Sequence, residues 1–137
     1  MNRSPFHIAV LEDSLADLFL IEQAIKEVVN CRITSLRDGA EALALIANSA
    51  SPVPDLMILD LNVPRIEGPS VLNSIRANTK WSQVAVLVFS SSSHPADIAR
   101  VMALGADQYL VKPMDLAGFS HFGQKVKQLL EKESISV

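Results

Sequence analysis

Two short segments that are apolar at every position constrain the fold of this 137-residue chain more than any other feature. They are residues 56–59, Leu-Met-Ile-Leu, and residues 84–89, Val-Ala-Val-Leu-Val-Phe. A strand with one wet face alternates apolar and polar residues, whereas a central strand of a parallel sheet is covered on both faces and is apolar throughout. The two segments therefore predict a parallel sheet that lies between two layers of helices.

The rest of the chain alternates strand and helix in the same way. Three more strands are predicted, over residues 6–11, 32–36 and 109–111, and the second is half polar, as an edge strand would be. Ser14 and Asp17 have the spacing of a capping box that starts the first helix. The other helices are predicted over residues 40–47, 70–77, 96–104 and 116–132. This alternation predicts a doubly wound, flavodoxin-like α/β sandwich with the strand order 2-1-3-4-5.

Composition limits the class of protein and its partners. The length suits one domain over residues 1–137, with a core over about 6–132, and the 49% hydrophobic content is that of a globular protein. No apolar stretch is long enough to cross a membrane, and no signal segment precedes the first strand. The single cysteine suits a reducing compartment, and the net charge of −3 argues against nucleic acid. We expect a cytoplasmic protein that binds neither membrane nor nucleic acid.

Four of the five predicted strands run directly into residues that phosphoryl transfer requires. The first strand is followed by Glu12 and Asp13, the third by Asp60, the fourth by Ser90 and the fifth by Lys112. Each residue alone is more simply explained as a cap or a turn. However, the carboxyl ends of parallel strands share one edge of the sheet, and ligands bind at that edge. The shared position therefore predicts one site built from all four strands.

The residue types in this predicted site suit a divalent cation and a phosphoryl group. Carboxylates of Glu12, Asp13 and Asp60, with the backbone carbonyl of Asn62, offer the oxygen ligands that Mg²⁺ prefers. Asp60 is also the candidate nucleophile, and Lys112 supplies a permanent positive charge beside it. The hydroxyl of Ser90 can donate a hydrogen bond to a phosphoryl oxygen.

With these residues in view, the chain resembles the receiver domains of two-component response regulators, the family of the chemotaxis protein CheY. The resemblance runs from Ile8 to about Leu130. It includes an acidic pair, a phosphoacceptor aspartate, a serine or threonine, an aromatic switch residue and a lysine followed by proline. In this chain these residues are Glu12, Asp13, Asp60, Ser90, Tyr109 and Lys112, followed by Pro113.

Segments 12–17 and 60–65 are more narrowly similar to the single-domain regulators that partner bacterial phytochrome histidine kinases. One departure from the common family pattern is Ser90-Ser91, where Thr followed by Ala or Thr is more usual. Serine at both positions still leaves room for a phosphoryl group. The narrower resemblance implies a phytochrome-type kinase as the partner.

The resemblance implies a signalling mechanism and not an enzyme with turnover. A histidine kinase or phosphotransfer protein would phosphorylate Asp60 with Mg²⁺ bound, and the acyl phosphate would hydrolyse slowly by itself. Ser90 and Lys112 would then move inward, and Tyr109 would rotate into the space behind Ser90. The change would reach a surface made of helix 4, strand 5 and helix 5 (residues 96–104, 109–111 and 116–132), which would signal to a partner or form a homodimer. No output domain is expected after the last helix.

Three points stay open from the sequence. Leu116, Gly123 and Leu130 recur every seven residues, either as an interaction stripe or as part of a wide core face. A haloacid-dehalogenase phosphatase is an alternative, although Asn62 stands where that family has its general-acid aspartate. A pseudo-receiver, which binds partners without phosphorylation, is the other alternative.

Overall fold

The computed structural model describes residues 5–135, with side chains as far as residue 132. Five parallel strands form one sheet in the order β2-β1-β3-β4-β5, which confirms the predicted topology. The elements in chain order are β1 Phe6–Leu11, α1 Leu15–Lys26, β2 Cys31–Leu36, α2 Gly39–Ala47, β3 Leu56–Leu59, α3 Gly68–Ala77, β4 Ala85–Ser90, α4 Pro95–Ala103, β5 Gln108–Val111 and α5 Leu116–Ile135. The predicted boundaries are mostly within one or two residues of these.

The two strands that the apolar segments predicted lie in the centre of the sheet. Every residue of β3 and β4 is buried, because helices cover both faces there. β3 pairs with β1 on one side and with β4 on the other. β2 lies at one edge and is half exposed, as its mixed composition predicted.

Alternate strand residues fill two separate cores, one on each face of the sheet. On one face, Met57 and Leu59 of β3 pack with apolar residues from α2, α3 and α4. On the other face, Leu56 and Ile58 pack with residues from α1 and α5. The strands are therefore held from both sides, and their carboxyl ends form a rigid edge.

α5 packs against β4 and α1 more closely than its sequence indicated. Phe122 stacks on Phe89 of β4, with ring centroids 4.0 Å apart. Gly123 is buried against α1, where a Cβ atom would lie 2.5 Å from the carbonyl oxygen of Ala24. Leu130 is also buried, whereas Leu116 is exposed. The seven-residue spacing is therefore not an interaction stripe, because two of its three members belong to the core.

Candidate functional site

The backbone fixes the residues that follow the strands at the carboxyl edge. The N–H of Glu12 donates to the carbonyl of Leu36 at 3.0 Å, and the N–H of Asp60 donates to the carbonyl of Leu11 at 3.1 Å. Beyond β5, the N–H of Lys112 donates to the carbonyl of Ser90 at 2.8 Å. The backbone hydrogen bonding of the sheet therefore extends to the residues that carry these side chains.

The side chain of Lys112 lies at the centre of a cluster of carboxylates. Its Nζ is 2.7 Å from Oε1 of Glu12, 2.8 Å from Oδ2 of Asp17 and 2.9 Å from Oδ2 of Asp60. The lysine side chain is 12% exposed, and those of Glu12 and Asp60 are 2% and 7% exposed. Residues separated by up to a hundred positions thus form one partly buried charged site.

Three carboxylates of this cluster could hold a metal ion. Oxygen atoms of Glu12, Asp13 and Asp60 all lie within 4.8 Å of one another. Oε1 of Glu12 is buried 2.7 Å from Nζ of Lys112 and has no further hydrogen-bond partner among the described residues, so it retains capacity for another partner. An all-oxygen set of charged donors suits a hard divalent cation. We refer to these three residues as the acidic trio.

Asn62 contacts the site through its backbone. Its N–H donates to Oδ1 of Asp60 at 3.1 Å, so the two carboxylate oxygens of Asp60 have different partners, Asn62 and Lys112. This arrangement fixes the rotation of the Asp60 carboxylate. The metal-ligand role of the Asn62 carbonyl stays a prediction.

Burial and pairing move two pKa values in the cluster. Burial raises the pKa of Glu12, although hydrogen bonds from Lys112 and from the N–H of Ser14 act against the shift. Burial alone would lower the pKa of Lys112, but hydrogen bonds to Asp17, Asp60 and Glu12 outweigh burial and raise it. Lys112 therefore remains charged at any physiological pH.

Ser90 and Tyr109 meet at the loop that follows β4. Ser90 is fully buried as the last residue of β4, one position later than the strand end predicted from sequence. Its Oγ accepts the N–H of Ser92 at 3.4 Å, and the hydroxyl of Tyr109 donates to the carbonyl of Ser92 at 2.7 Å. The hydroxyl of Ser92 in turn donates to Asp97 of α4 at 2.6 Å. Ser92 thus connects Ser90, Tyr109 and α4.

Asp17 is the site residue that sequence reasoning missed. The N–H of Asp17 donates to Oγ of Ser14 at 3.2 Å, which is one half of the predicted capping box. The other half is absent from the described residues, because the Asp17 carboxylate binds Lys112 and the N–H of Ser14 donates to Glu12 instead. A charged ammonium is a stronger partner for a carboxylate than a backbone amide. The position of Asp17 in the first helical turn after the acidic pair was the available signal.

A glycine allows the loop after Asp60 to return to the site. A Cβ atom on Gly68 would lie 2.6 Å from the Asp60 carbonyl oxygen and 2.8 Å from Cα of Leu61. The N–H of Gly68 donates to the carbonyl of Leu61 at 3.2 Å and closes the loop. Any larger residue would push the loop away and disturb the backbone of Asp60.

Comparison with known proteins identifies the family. Residues 8–121 match the model of the response regulator receiver domain. The chain belongs to this family. Receiver domains act in the signalling of two-component systems, and phosphorylation on an aspartate is typical of them. The resemblance predicted from the site residues is confirmed.

Relatives of known function and structure include phytochrome regulators. The chain is 32% identical to the response regulator Rcp1 of Synechocystis over 120 residues, which cover 84% of this chain and 82% of Rcp1. The phosphorylated cyanobacterial phytochrome response regulator RcpA superimposes with a TM-score of 0.83 at 29% identity, covering 93% of this chain and 94% of RcpA. The Mn²⁺-bound form of Rcp1 gives a TM-score of 0.82 at 30% identity, covering 90% and 92% of the two chains.

A plant relative is longer than this chain. The two-component response regulator ARR8 of Arabidopsis thaliana is 28% identical over 150 residues, which cover 97% of this chain but only 66% of ARR8. In the part of the chain that the structure describes, none of the helices is long and apolar enough to span a bilayer.

Proposed function

We propose that this receiver domain accepts a phosphoryl group on Asp60 from a histidine kinase, in a reaction that requires Mg²⁺ at the acidic trio. The observation that carries the proposal is the position of Asp60, whose side chain is 7% exposed, lies 2.9 Å from Lys112 Nζ and shares its site with Glu12 and Asp13. Bound Mg²⁺ would neutralise the phosphoryl oxygens and so reduce their repulsion from the carboxylates. The all-oxygen donor set fits that ion, and a Mn²⁺-bound form of the relative Rcp1 is known.

The chain itself orients the nucleophile and receives the phosphoryl group. Hydrogen bonds from Asn62 and Lys112 hold the Asp60 carboxylate, so that one of its oxygens can attack phosphorus in line. An O–P bond forms as the N–P bond of the phosphohistidine breaks, and the histidine nitrogen keeps the electron pair. Lys112 and the hydroxyl of Ser90 then donate hydrogen bonds to the phosphoryl oxygens. Burial of the site limits the access of water and with it the rate of hydrolysis.

Ser92 connects a structural change at the site to the surface of the domain. When Ser90 moves toward the phosphoryl group, the contact of its Oγ with the Ser92 N–H changes, and Tyr109 and Asp97 are bound to the same residue. A movement of Ser90 therefore shifts Tyr109 and α4 together. The surface that changes consists of α4, β5 and α5, where Met102 and Val111 are exposed apolar residues. This surface contacts a downstream partner or a second copy of the chain.

Exposed apolar side chains beside the site favour a protein as the phosphodonor. Leu15 and Phe19 of α1 are 65% and 60% exposed, and Met114 and Leu116, which follow Lys112, are also exposed. A small phosphodonor would not need these side chains, whereas a docked protein would bury them. The similarity to Rcp1 and RcpA favours a histidine kinase of the phytochrome type.

Phosphorylation from a small donor tests the acceptor. The protein is incubated with Mg²⁺ and acetyl phosphate, and its intact mass is measured; Asp115→Asn serves as a control, because Asp115 is exposed outside the acidic trio. We expect a Mg²⁺-dependent adduct of one phosphoryl group in the protein and in Asp115→Asn but not in Asp60→Asn. An adduct in Asp60→Asn would reject Asp60 as the acceptor. Turnover of phosphomonoesters would favour the phosphatase, and no adduct under any condition would favour the pseudo-receiver.

Transfer from a kinase tests the partner separately. We expect the double variant Leu15→Ser and Phe19→Ser to accept phosphate from acetyl phosphate normally but to react at least several-fold more slowly with a purified phytochrome-type kinase. Met102→Ser, which removes an exposed apolar side chain on α4, is the matched control and should react normally with the kinase. Equal kinase rates for both variants would contradict docking at α1.

The variant Lys112→Ala tests whether phosphorylation changes the surface made of α4, β5 and α5. In Lys112→Ala we expect Asp60 to be phosphorylated with Mg²⁺ present, while the amide NMR signals of α4, β5 and α5 stay at their unphosphorylated positions. A full response of those signals in the variant would contradict the switch model.

A further inference from the structure

The three partners of Lys112 differ in what happens to them during the proposed reaction. An ammonium group has three N–H donors, and the three carboxylates of Glu12, Asp17 and Asp60 lie within 2.9 Å of Nζ. Glu12 and Asp60 belong to the acidic trio, and Asp60 is also the nucleophile. Asp17 lies outside the trio and accepts a hydrogen bond from Lys112 at 2.8 Å, so the proposed reaction places neither the cation nor the phosphoryl group on its carboxylate.

We propose that Asp17 is a positioning residue that anchors Lys112 to α1 while the cation and the phosphoryl group occupy the oxygens of Glu12 and Asp60. The inference rests on the proposed function, since it assigns Asp17 a role in the same reaction. Glu12 and Asp60 take on new partners when the cation and the phosphoryl group bind. Without Asp17, Lys112 would then have no carboxylate partner that stays the same throughout the reaction.

The structure makes Asp17 a rigid anchor. Its backbone N–H is held by Ser14, so the carboxylate starts from a fixed helical turn. α1 is in turn held against α5 by the close contact of Ala24 with Gly123. Lys112 is fixed at its own backbone by the bond to Ser90. The ion pair between Asp17 and Lys112 thus joins α1 to the residue that directly follows β5.

The two roles that Asp17 could have, positioning of Lys112 or a purely electrostatic effect, predict opposite effects of its removal on the binding of an anion. If Asp17 acted only through its negative charge, its removal would strengthen the binding of a phosphoryl analogue, because like charges repel. If Asp17 positions Lys112, its removal weakens that binding, because the ammonium loses its anchor. The sign of the change therefore separates the two roles.

The test measures the affinity for beryllofluoride, a phosphoryl analogue, at saturating Mg²⁺ by calorimetry. We expect Asp17→Ala to weaken binding about fivefold, as for the loss of one partly exposed ion pair, and Asp17→Glu to restore most of it. Glu22→Ala removes a carboxylate from the same helix and should have no such effect. In the Lys112→Ala background, Asp17→Ala should no longer weaken binding, because the group that it positions is gone.

A second measurement reports Lys112 directly. In the Mg²⁺–beryllofluoride complex, the NMR signal of the Lys112 side-chain CεH₂ group should shift in Asp17→Ala and return in Asp17→Glu. Unchanged or tighter beryllofluoride binding in Asp17→Ala would overturn the inference, as would an equal weakening in the Lys112→Ala background or an unmoved Lys112 signal. If the unsubstituted protein binds no beryllofluoride with Mg²⁺, the proposed function itself fails.

Discussion

The two edges of the sheet each carry a polar cluster, and only one cluster is balanced in charge and hydrogen bonds. At the amino edge, Arg76 donates to the carbonyls of Gly105, Ser82 and Val84 and to the carboxylate of Asp107, at distances from 2.6 to 3.1 Å. One cation faces one carboxylate there, and the guanidinium also satisfies carbonyl groups. This is the pattern of a group that holds loops together.

At the carboxyl edge, one ammonium faces an excess of negative charge. Lys112 is paired with Glu12, Asp17 and Asp60, and Asp13 lies beside them. Such an excess of negative charge does not stabilise the fold by itself, since buried carboxylates repel one another. It becomes favourable when a divalent cation is added. From this difference between the edges we infer that the unbalanced cluster is the functional site and that the balanced cluster is structural.

The largest expected effect comes from removing Lys112, the cation at the centre of the carboxylate cluster. Lys112→Ala should lower the free energy of unfolding by about 3 kcal/mol in EDTA, because it leaves partly buried carboxylates unpaired. Because the ammonium no longer occupies the carboxylates, saturating Mg²⁺ should stabilise the variant by about 1.4 kcal/mol more than the unsubstituted protein, as for tenfold tighter binding. This difference would recover about half of the loss. Urea unfolding with and without Mg²⁺ measures both values. A loss that Mg²⁺ leaves unchanged would contradict a cation site at the acidic trio.

The matching substitution at the amino edge should respond differently. Arg76→Ala should lower the free energy of unfolding by about 2 kcal/mol, because the partly buried carbonyls of Gly105 and Val84 lose their donor. The added effect of Mg²⁺ should equal that in the unsubstituted protein. The same urea series checks this prediction. A rescue by Mg²⁺ as large as that of Lys112→Ala would remove the distinction between the two edges.

The sequence predicted the framework of the site better than its contacts. Strand order and the shared edge follow from hydrophobic patterning, and patterning placed Glu12, Asp13, Asp60, Ser90 and Lys112 at that edge. Asp17 and Arg76 were missed for one reason. Each is a polar residue on a helix, and its partner lies up to 95 positions away in the chain. No local spacing indicates which distant groups such a side chain meets.

The close contact between α1 and α5 could not be predicted from the sequence either. Gly123 gave a seven-residue pattern with Leu116 and Leu130, yet its function is to let α1 and α5 touch at Ala24. Glycine has no side chain, so hydrophobic periodicity carries no information about its role. The position of the Ala24 backbone shows that Gly123 is a packing residue.

Removing an excess carboxylate should stabilise the metal-free protein. We expect Glu12→Gln to raise the free energy of unfolding by about 1 kcal/mol at pH 7 in EDTA, because burial of the charged form is unfavourable. The Gln amide oxygen can still accept the N–H of Ser14. Burial raises the pKa of Glu12, so the gain should shrink as the pH falls toward 4.5, where native Glu12 already holds a proton. Mg²⁺ affinity should fall about tenfold.

The smallest expected effect is a pH dependence at the amino edge, where His7 is buried at the start of β1. Its Nε2 contacts Oγ1 of Thr34 at 2.9 Å, and burial, with the positive charge of Arg32, lowers the pKa of His7, while Asp55 acts in the opposite direction. The native state therefore resists protonation of His7, so the contribution of His7 to stability is fully present above pH 6.5 and falls as the pH drops through the lowered pKa.

Thermal unfolding in EDTA between pH 7.5 and 5.5 should show this loss of stability, and His7→Gln should reduce the loss. Mg²⁺ should leave the His7 contribution unchanged, because the proposed cation site is at the opposite edge. If the slope of stability against pH were the same in His7→Gln, His7 would not be the group that causes the loss.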